Sequence, residues 1–354
     1  MFQVRILTES WNRVVAVPYI VYMPERDRIL MLVSVDYPHR PMVLWSDDRG
    51  RSWSPPRFVY QDFGDDSDRG HHVGVSLTYL GGGNVVFSVE SKGRYFSEDF
   101  GETWSEPVAR PPTSDGRHWY QWDSYLVDKI PAAGRTVRVA ETGYNYIGDT
   151  KTTQAEIRFS EDLCRTWSAP VRVPQWKGVN EVALVRAANG DMVAACRTDK
   201  PAHIEDTLDH YEGLGVSISS DDGHTWSPVN MLYDYGRHHP SLVRLGDGRI
   251  VMTYVVRKGY PDTADGFPQF GIEAVISRDH GRTWNLDDKI VLAEWAGNRQ
   301  GPNAWWASSQ ATSTILLPDG RLLTAFGTGY RSQPNENNMA APRDVGLVEW
   351  QVPS

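Results

Sequence analysis

An eight-residue motif, Ser-x-Asp-x-Gly-x-x-Trp, recurs along the chain and constrains its fold more than any other feature. Four copies match in full, and a fifth has Cys164 in place of the glycine. Measured from tryptophan to tryptophan, successive copies are 51, 63, 59 and 58 residues apart. The copies begin at Ser46, Ser97, Ser160, Ser219 and Ser277. Repetition at such a period is the signature of an array of similar supersecondary units.

Each copy predicts a tight turn between two strands, because glycine accepts a positive φ and an aspartate side chain bonds the turn backbone. A second kind of hairpin, an apolar strand, a short turn and another apolar strand, lies between the copies, as at 240–252 and 313–323. One hairpin of each kind gives four strands, which make one blade of a β-propeller. Six such units account for the chain, so we predict one all-β domain over 1–354. This domain is a six-bladed propeller with four antiparallel strands per blade, whose last blade is completed by joining the two ends of the chain.

Charge and hydrophobicity exclude several classes of function. The formal net charge is -9 and no stretch is strongly basic, which argues against a nucleic-acid or anionic-membrane partner. No apolar run is long enough to cross a membrane. The first residues lack the pattern of a signal peptide, so the sequence as it stands predicts a cytoplasmic protein, and a secreted or periplasmic one if a signal was removed. Cys164 and Cys196 form neither a disulfide framework nor a metal-ligand pattern, and we expect no cofactor.

Long segments on one face are expected to wall a pocket, which favours attack at the end of a glycan chain. One of them carries a cluster of histidines and carboxylates whose spacing matches no zinc motif, so we expect a solvated lid and no metal. This cluster comprises His203, Glu205, Asp206, Asp209 and His210. The other segments are 110–122, 258–270, 293–310 and 328–342.

Alignment of the six apolar hairpins on their turns predicts which side chains meet at the mouth of the ring, opposite the repeated turns. Charged and imidazole side chains recur there, and buried charges persist only when they are paired or used. The predicted catalytic residues are Glu181, His239, His72, Asp123 and Glu141. The predicted substrate-binding residues are Arg197, Arg257, Glu90, His238, Tyr125, Trp305 and Trp306.

The repeated turn resembles the Asp box, or BNR repeat, of the sialidase superfamily. Five copies at blade spacing are typical of the fold, whereas Asp boxes lie away from the active site and also occur in non-catalytic propellers. The resemblance implies a blade that carries a glutamate and then an arginine of a carboxylate-binding triad, matched here by Glu181 and Arg197, with Arg257 as a second triad arginine. In sialidases this glutamate polarises a tyrosine nucleophile, and an aspartate on another loop is the general acid.

Other positions depart from the sialidase pattern. Ala16 stands where the first triad arginine is expected, and Ala311 or Gln310 stands where the nucleophilic tyrosine is expected. Histidine pairs occur instead at 71–72 and 238–239. We therefore expect a divergent member: an exo-acting glycoside hydrolase on an oligosaccharide, with an anionic sugar as one option, that uses two carboxylates or a His–carboxylate pair.

Two alternatives stay open. A lyase acting on uronic-acid polymers would use histidine and tyrosine to abstract a proton and an arginine to neutralise the uronate. Its residues would be His72, His239, Tyr120 or Tyr125, and Arg197. A non-catalytic glycan-binding propeller would stack sugars on tryptophans, whose competing role is packing between blades. Those tryptophans are Trp119, Trp122, Trp305 and Trp306.

Overall fold

The computed structural model describes residues 2–59, 70–128, 137–204, 211–258, 269–296, 311–331 and 341–353. Regular structure in these ranges is β-strand, apart from two one-turn 3-10 helices, Glu9–Trp11 and Pro24–Arg26. The strands are β1 (Val4–Ile6), β2 (Val15–Met23), β3 (Arg28–Val35), β4 (Arg40–Ser46), β5 (Arg57–Phe58), β6 (Gly74–Gly81), β7 (Asn84–Val89), β8 (Gly93–Ser97), β9 (Leu126–Val127), β10 (Val139–Tyr146), β11 (Thr153–Ser160), β12 (Val171–Lys177), β13 (Val179–Arg186), β14 (Met192–Thr198), β15 (Gly213–Ser219), β16 (Asn230–Tyr233), β17 (Arg237–Arg244), β18 (Ile250–Lys258), β19 (Gln269–Ser277), β20 (Ile290–Ala296), β21 (Thr312–Leu316), β22 (Leu322–Tyr330) and β23 (Arg343–Trp350).

The strands form six antiparallel sheets, and each sheet is one blade of a propeller. Blade 1 is β2–β5, blade 2 is β6–β8, blade 3 is β9–β12, blade 4 is β13–β16, blade 5 is β17–β20, and blade 6 is β21–β23 with β1. Blade 2 has three strands among the described residues, and an isolated bridge between Arg94 and Val108 lies where its fourth strand would run. The predicted six-bladed all-β propeller is confirmed.

The ring closes through the two ends of the chain, as the sequence predicted. Strand β1 pairs antiparallel with β23, so that Val4 lies opposite Val348 and Ile6 opposite Gly346. The first strand of the chain is thus the outer strand of the last blade. Hydrogen bonds between β1 and β23 thus hold the start of the chain in blade 6, before it continues into blade 1.

The five repeated motifs form five nearly identical turns. In the fourth copy, the Ser219 hydroxyl donates to Asp221 (2.8 Å) and accepts the backbone N–H of Gly223 (2.8 Å). The same carboxylate accepts the N–H of Thr225 (2.8 Å), and the Trp226 indole donates to the Gly223 carbonyl (3.1 Å). Gly223 has φ +88° and Cys164, at the equivalent position, has φ +67°. Cys164 therefore keeps the turn at the cost of a left-handed backbone that L-residues disfavour.

Pairing within blade 4 shows that these turns and the ring mouth lie at opposite ends. Ser219, which opens the turn, lies opposite Met192 at the start of β14. Arg197, at the other end of β14, lies opposite Leu214. Apolar side chains seal the space between successive blades, as where Leu214 of blade 4 and Tyr254 of blade 5 share one core cluster. The mouth is therefore the rim of a rigid ring, and side chains there are held by packed strands.

Candidate functional site

Two β-bulges direct side chains into the mouth. In blade 4 the pairing shifts between Val179 and Val182, so Asn180 and Glu181 bulge out of the ladder. In blade 5 it shifts between His238 and Ser241, and His239 has φ +50° immediately before a proline. A bulge re-aims a side chain, and a strained backbone at a non-glycine residue points to function. Glu181 and His239 are thus turned toward the same space.

A pocket of about 780 Å³ occupies the mouth. Both bulged side chains line it, together with residues from the first five blades and their loops. The described lining is Val17, His39, His71, Val73, Trp122, Tyr144, Tyr146, Thr150, Lys151, Thr153, Asn180, Glu181, Arg197, Asp199, Lys200, Glu212, His239 and Arg257. Four of the predicted site residues therefore meet here: Glu181, Arg197, His239 and Arg257.

A buried network of charges forms one wall of the pocket. The Arg197 guanidinium donates through Nη1 to Glu181 Oε1 (2.6 Å) and through Nε to Glu212. His239 Nε2 lies 3.0 Å from the same Nη1, and His239 Nδ1 lies 2.7 Å from Glu181 Oε2. Since Nη1 can only donate, His239 Nε2 is the acceptor and the ring proton is on Nδ1, toward Glu181. Arg197 is thus a bridge between two carboxylates.

This network fixes the protonation states of its members. Burial by itself raises the pKa of Glu181, but the charge of Arg197 and the contact with His239 outweigh it and lower that pKa to about 2. Burial lowers the pKa of His239, with a further contribution from the nearby arginines against the raising effect of Glu181. At neutral pH the wall therefore holds an ionised carboxylate beside a neutral imidazole.

Asp123 lies just beneath this wall. It follows Trp122, which lines the pocket, but Asp123 itself lines a second cavity of about 470 Å³ formed by the inner strands along the ring axis. Burial, and then the negative charge of Glu181, raise the pKa of Asp123 well above its ordinary value. Glu181 in the pocket and Asp123 in the cavity beneath it are thus coupled carboxyl groups, the first held ionised and the second shifted toward its protonated form.

The opposite wall carries two histidines, His39 and His71. The sequence analysis assigns a site role to neither of them. His39 lies in the turn between β3 and β4, and His71 precedes β6. The His39 backbone N–H donates to His71 Nδ1 (3.2 Å), and the ring centroids are 4.8 Å apart. Because β3 ends at the mouth, its following turn was the available signal for His39. For His71 the signal is the histidine pair at 71–72, of which the sequence analysis assigns the site role to His72.

Besides Asp123, five predicted site residues lie outside the described pocket lining: His72, Glu90, Tyr125, Glu141 and His238. His72 is buried with Nδ1 2.6 Å from the Ser91 hydroxyl, and His238 is buried against the ring of its neighbour His239. Glu90 lies 2.6 Å from Nε2 of His118, at the surface. Their predicted roles in catalysis or binding stay predictions.

Glu141 and Tyr125 belong to a separate buried network between blades 2 and 3. Glu141 accepts hydrogen bonds from Arg94 (2.6 and 2.7 Å) and Arg158 (2.5 Å), and Arg94 also donates to the Tyr125 hydroxyl (2.9 Å). Burial by itself raises the pKa of Glu141, but the two guanidinium groups lower it below its ordinary value. This arrangement explains why a charged residue is buried at position 141: its carboxylate links an arginine of blade 2 to an arginine of blade 3. Trp119, stacked 3.8 Å from the Arg158 guanidinium, packs there as well.

Some predicted residues lie outside the described part of the chain. These are Trp305, Trp306 and Gln310, and Glu205, Asp206, Asp209 and His210 of the histidine–carboxylate cluster. Ala16 and Ala311, which stand where the sialidase pattern has an arginine and a tyrosine, are both buried. Among the described residues, no helix has the length and apolar character needed to cross a membrane.

Comparison with known proteins agrees with the architecture. This chain superposes on a protein of unknown function from Dyadobacter fermentans DSM 18053, with 18% identity and a TM-score of 0.69. The superposition covers 99% of this chain and 98% of that protein. The NanB sialidase from Streptococcus pneumoniae superposes over 99% of this chain and 70% of its own, with 13% identity and a TM-score of 0.60. At these identities the likeness shows a shared fold.

No curated protein sequence matches the chain. A family model described as the BNR repeat-like domain matches residues 69–258, which are more than half of the chain. The match covers the second, third and fourth blades and reaches into the fifth, including three of the repeated turns and the bulges that carry Glu181 and His239. Repeat, fold and family model together show that this chain belongs to the BNR repeat-like domain family.

Proposed function

We propose that this protein is a carbohydrate-active enzyme, an exo-acting glycoside hydrolase that holds the terminal sugar of an oligosaccharide in the mouth pocket. The observation that carries the proposal is Glu181, a buried carboxylate kept ionised by Arg197 and turned into a pocket by a bulge. The resemblance to sialidases and the likeness of fold to NanB, a sialidase, support a sugar as substrate. A walled pocket suits a chain end better than the middle of a polymer.

Glu181 and Asp123 supply the two protonation states that glycoside hydrolysis needs. With a pKa of about 2, Glu181 is ionised at neutral pH and so acts as base or nucleophile, or stabilises positive charge at the anomeric carbon. Burial and the charge of Glu181 raise the pKa of Asp123 and so favour its protonated form. In this proposal Asp123 is the acid, and the pair divides the work as their environments dictate.

The arginines take different roles. Arg197 donates hydrogen bonds to both Glu181 and Glu212. Because its guanidinium is already bound to these two carboxylates, we assign it the positioning of Glu181. Arg257 is buried and lines the same pocket from the end of β18, and we assign it the anchoring of an anionic group on the sugar. A guanidinium suits a carboxylate through two parallel hydrogen bonds.

Release of a fluorophore from a panel of 4-methylumbelliferyl glycosides, including neutral sugars, a glucuronide and a sialoside, tests the proposal. We expect turnover on at least one member, and little on the sialoside because Ala16 and Ala311 replace an arginine and a tyrosine. Glu181→Gln should lower kcat/KM by about 10²–10⁴ while the fold is retained. The matched control is Glu102→Gln, an exposed carboxylate beside a repeated turn at the opposite end. Wild-type turnover by Glu181→Gln would contradict the assignment.

A lyase is the second candidate, favoured by one observation. The pocket holds neutral histidines beside tyrosines, Tyr144 and Tyr146, and an arginine. These are the parts that proton abstraction next to a uronate would use. Incubation with uronic-acid polymers separates the two reactions, since unsaturated products absorb in the ultraviolet and hydrolysis gives saturated sugars. Binding without either product would identify a glycan-binding propeller.

A further inference from the structure

We propose that His39 and His71 form a hydroxyl-binding subsite of the mouth pocket, in which one ring nitrogen accepts and the other donates a hydrogen bond to neighbouring hydroxyl groups of a sugar ring. The inference deepens the proposed function and rests on it only in taking a sugar as the ligand. It concerns recognition and assigns no proton transfer to either histidine.

Hydrogen bonds to the backbone select one tautomer for each ring. His39 Nδ1 lies 2.5 Å from the carbonyl oxygen of Asp36, which can only accept, so the proton of His39 is on Nδ1. Nε2 of the neutral ring is then an acceptor. His71 Nδ1 accepts the backbone N–H of His39 (3.2 Å), so the proton of neutral His71 is on Nε2, which donates. The pair thus offers one acceptor and one donor.

The surroundings of the pair keep both rings neutral. Burial lowers the pKa of His39 to about 3, helped by His71 and Arg343 against the weaker opposing effects of Asp36. Burial also lowers the pKa of His71, with contributions from His72 and Arg40. A base of such low pKa is poorly matched to proton abstraction at neutral pH, where catalytic bases are tuned near the working pH. Hydrogen bonding to hydroxyls needs no charge.

The subsite and the charged wall face each other. His39 and His71 come from blades 1 and 2, and the network of Glu181, Arg197 and His239 comes from blades 4 and 5. In a closed ring of six, blades 1 and 2 lie opposite blades 4 and 5. A sugar that turns its reacting carbon toward Glu181 therefore presents its far edge to the two histidines. Two adjacent hydroxyls on that edge complement one acceptor and one donor.

The tautomers can be observed without a ligand. Long-range ¹H–¹⁵N correlation spectra of the full chain at pH 7 should show two neutral rings, His39 protonated on Nδ1 and His71 on Nε2. Assignment uses His39→Gln and His71→Gln, each of which removes one set of signals. The reverse tautomers, or a protonated ring at either position, would overturn the inference.

Binding of a panel of methyl glycosides, the methyl β-pyranosides of glucose, galactose, mannose and glucuronic acid, tests recognition by calorimetry. For the tightest binder, we expect His71→Ala and His39→Ala each to weaken binding about tenfold, the value of one or two neutral hydrogen bonds. The Gln variants should recover part of the loss, because the glutamine amide can place an oxygen or an N–H near the lost Nε2. His224→Ala, an exposed histidine of a repeated turn, is the control and should bind like wild type.

Monodeoxy analogues of that glycoside locate the hydroxyls. Removing the hydroxyl that a histidine contacts should weaken binding to wild type about tenfold and weaken binding to the matching Ala variant no further, as in a double-mutant cycle. Equal losses in both proteins, Ala variants that bind like wild type, or no binding by any glycoside would contradict the subsite. Failure of the hydrolase proposal looks different, because fluorophore release is then absent while the histidine-dependent binding persists.

Discussion

Replacement of Arg197 by methionine should cost far more stability than the loss of an ordinary surface ion pair. Arg197 holds two carboxylates, and Glu181 is only 5% exposed, so this change leaves a buried negative charge without its main partner. Methionine fills much of the volume of the arginine stem without its charge. The change therefore measures the electrostatic support of the site and disturbs packing little.

The size of the effect follows from the pKa of Glu181. This pKa is about 2 in the folded protein, against an ordinary value of 4.5 for a glutamate. Because a tenfold change in an acid dissociation constant corresponds to about 1.4 kcal/mol, the variant would lose about 3 kcal/mol at pH 7 if the pKa merely returned to its ordinary value. Losses of about 3–5 kcal/mol are typical when one partner of a buried pair is removed. A depressed carboxyl pKa stabilises above the unfolded value, so this contribution is present above about pH 4.5 and is lost as the pH falls toward 2.

Urea unfolding at pH 7, followed by tryptophan fluorescence, measures the loss. The control is Arg26→Met, which breaks an ion pair whose side chains are 40% and 46% exposed and should cost at most about 1 kcal/mol. Glu181→Gln in the Arg197→Met background should recover part of the stability, because it removes the unpaired charge. If Arg197→Met cost no more than Arg26→Met, the low pKa of Glu181 would have another origin and the argument for an ionised catalytic carboxylate would fail.

Three further outcomes follow from the structure. Between pH 6.5 and about 3, His39 is protonated in the unfolded chain but stays neutral in the folded protein. The free energy of unfolding should therefore fall with falling pH by up to about 1.4 kcal/mol per pH unit. His39→Gln should flatten that slope in urea titrations at several pH values. Glu141→Gln should destabilise by about 3–5 kcal/mol because it strands two buried arginines, yet leave the KM of the surviving folded enzyme unchanged, which kinetics at low temperature can check. Gly281→Ala, at φ +88° with a valine methyl 2.7 Å from the added carbon, should cost more than Gly320→Ala, at φ +81° in open space; equal losses of melting temperature would mean that backbone strain alone matters.

The repeated motif predicts most of the architecture because each turn is formed by hydrogen bonds among residues that are close in sequence. A serine, an aspartate and a residue with positive φ close each turn through hydrogen bonds within a few residues, as at Ser219 and Gly223. Spacing between such turns then gives the number of blades and the end at which the mouth lies. From that register alone, Glu181 and His239 could be placed at the mouth, since each lies near the start of the innermost strand of its blade.

Which way a single side chain faces depends on contacts that the sequence does not display. Successive side chains of a strand point to opposite faces of the sheet, so one bulged residue reverses the face to which the following side chains point. The bulge in β13 turns Glu181 into the pocket, whereas Glu141, on the second strand of its blade, meets two arginines between blades. His71 reaches the pocket while the adjacent His72 is buried behind it. The repeat determined the ring and its mouth, and tertiary packing decided which charges line the pocket, because orientation is set by neighbours that are remote in the chain.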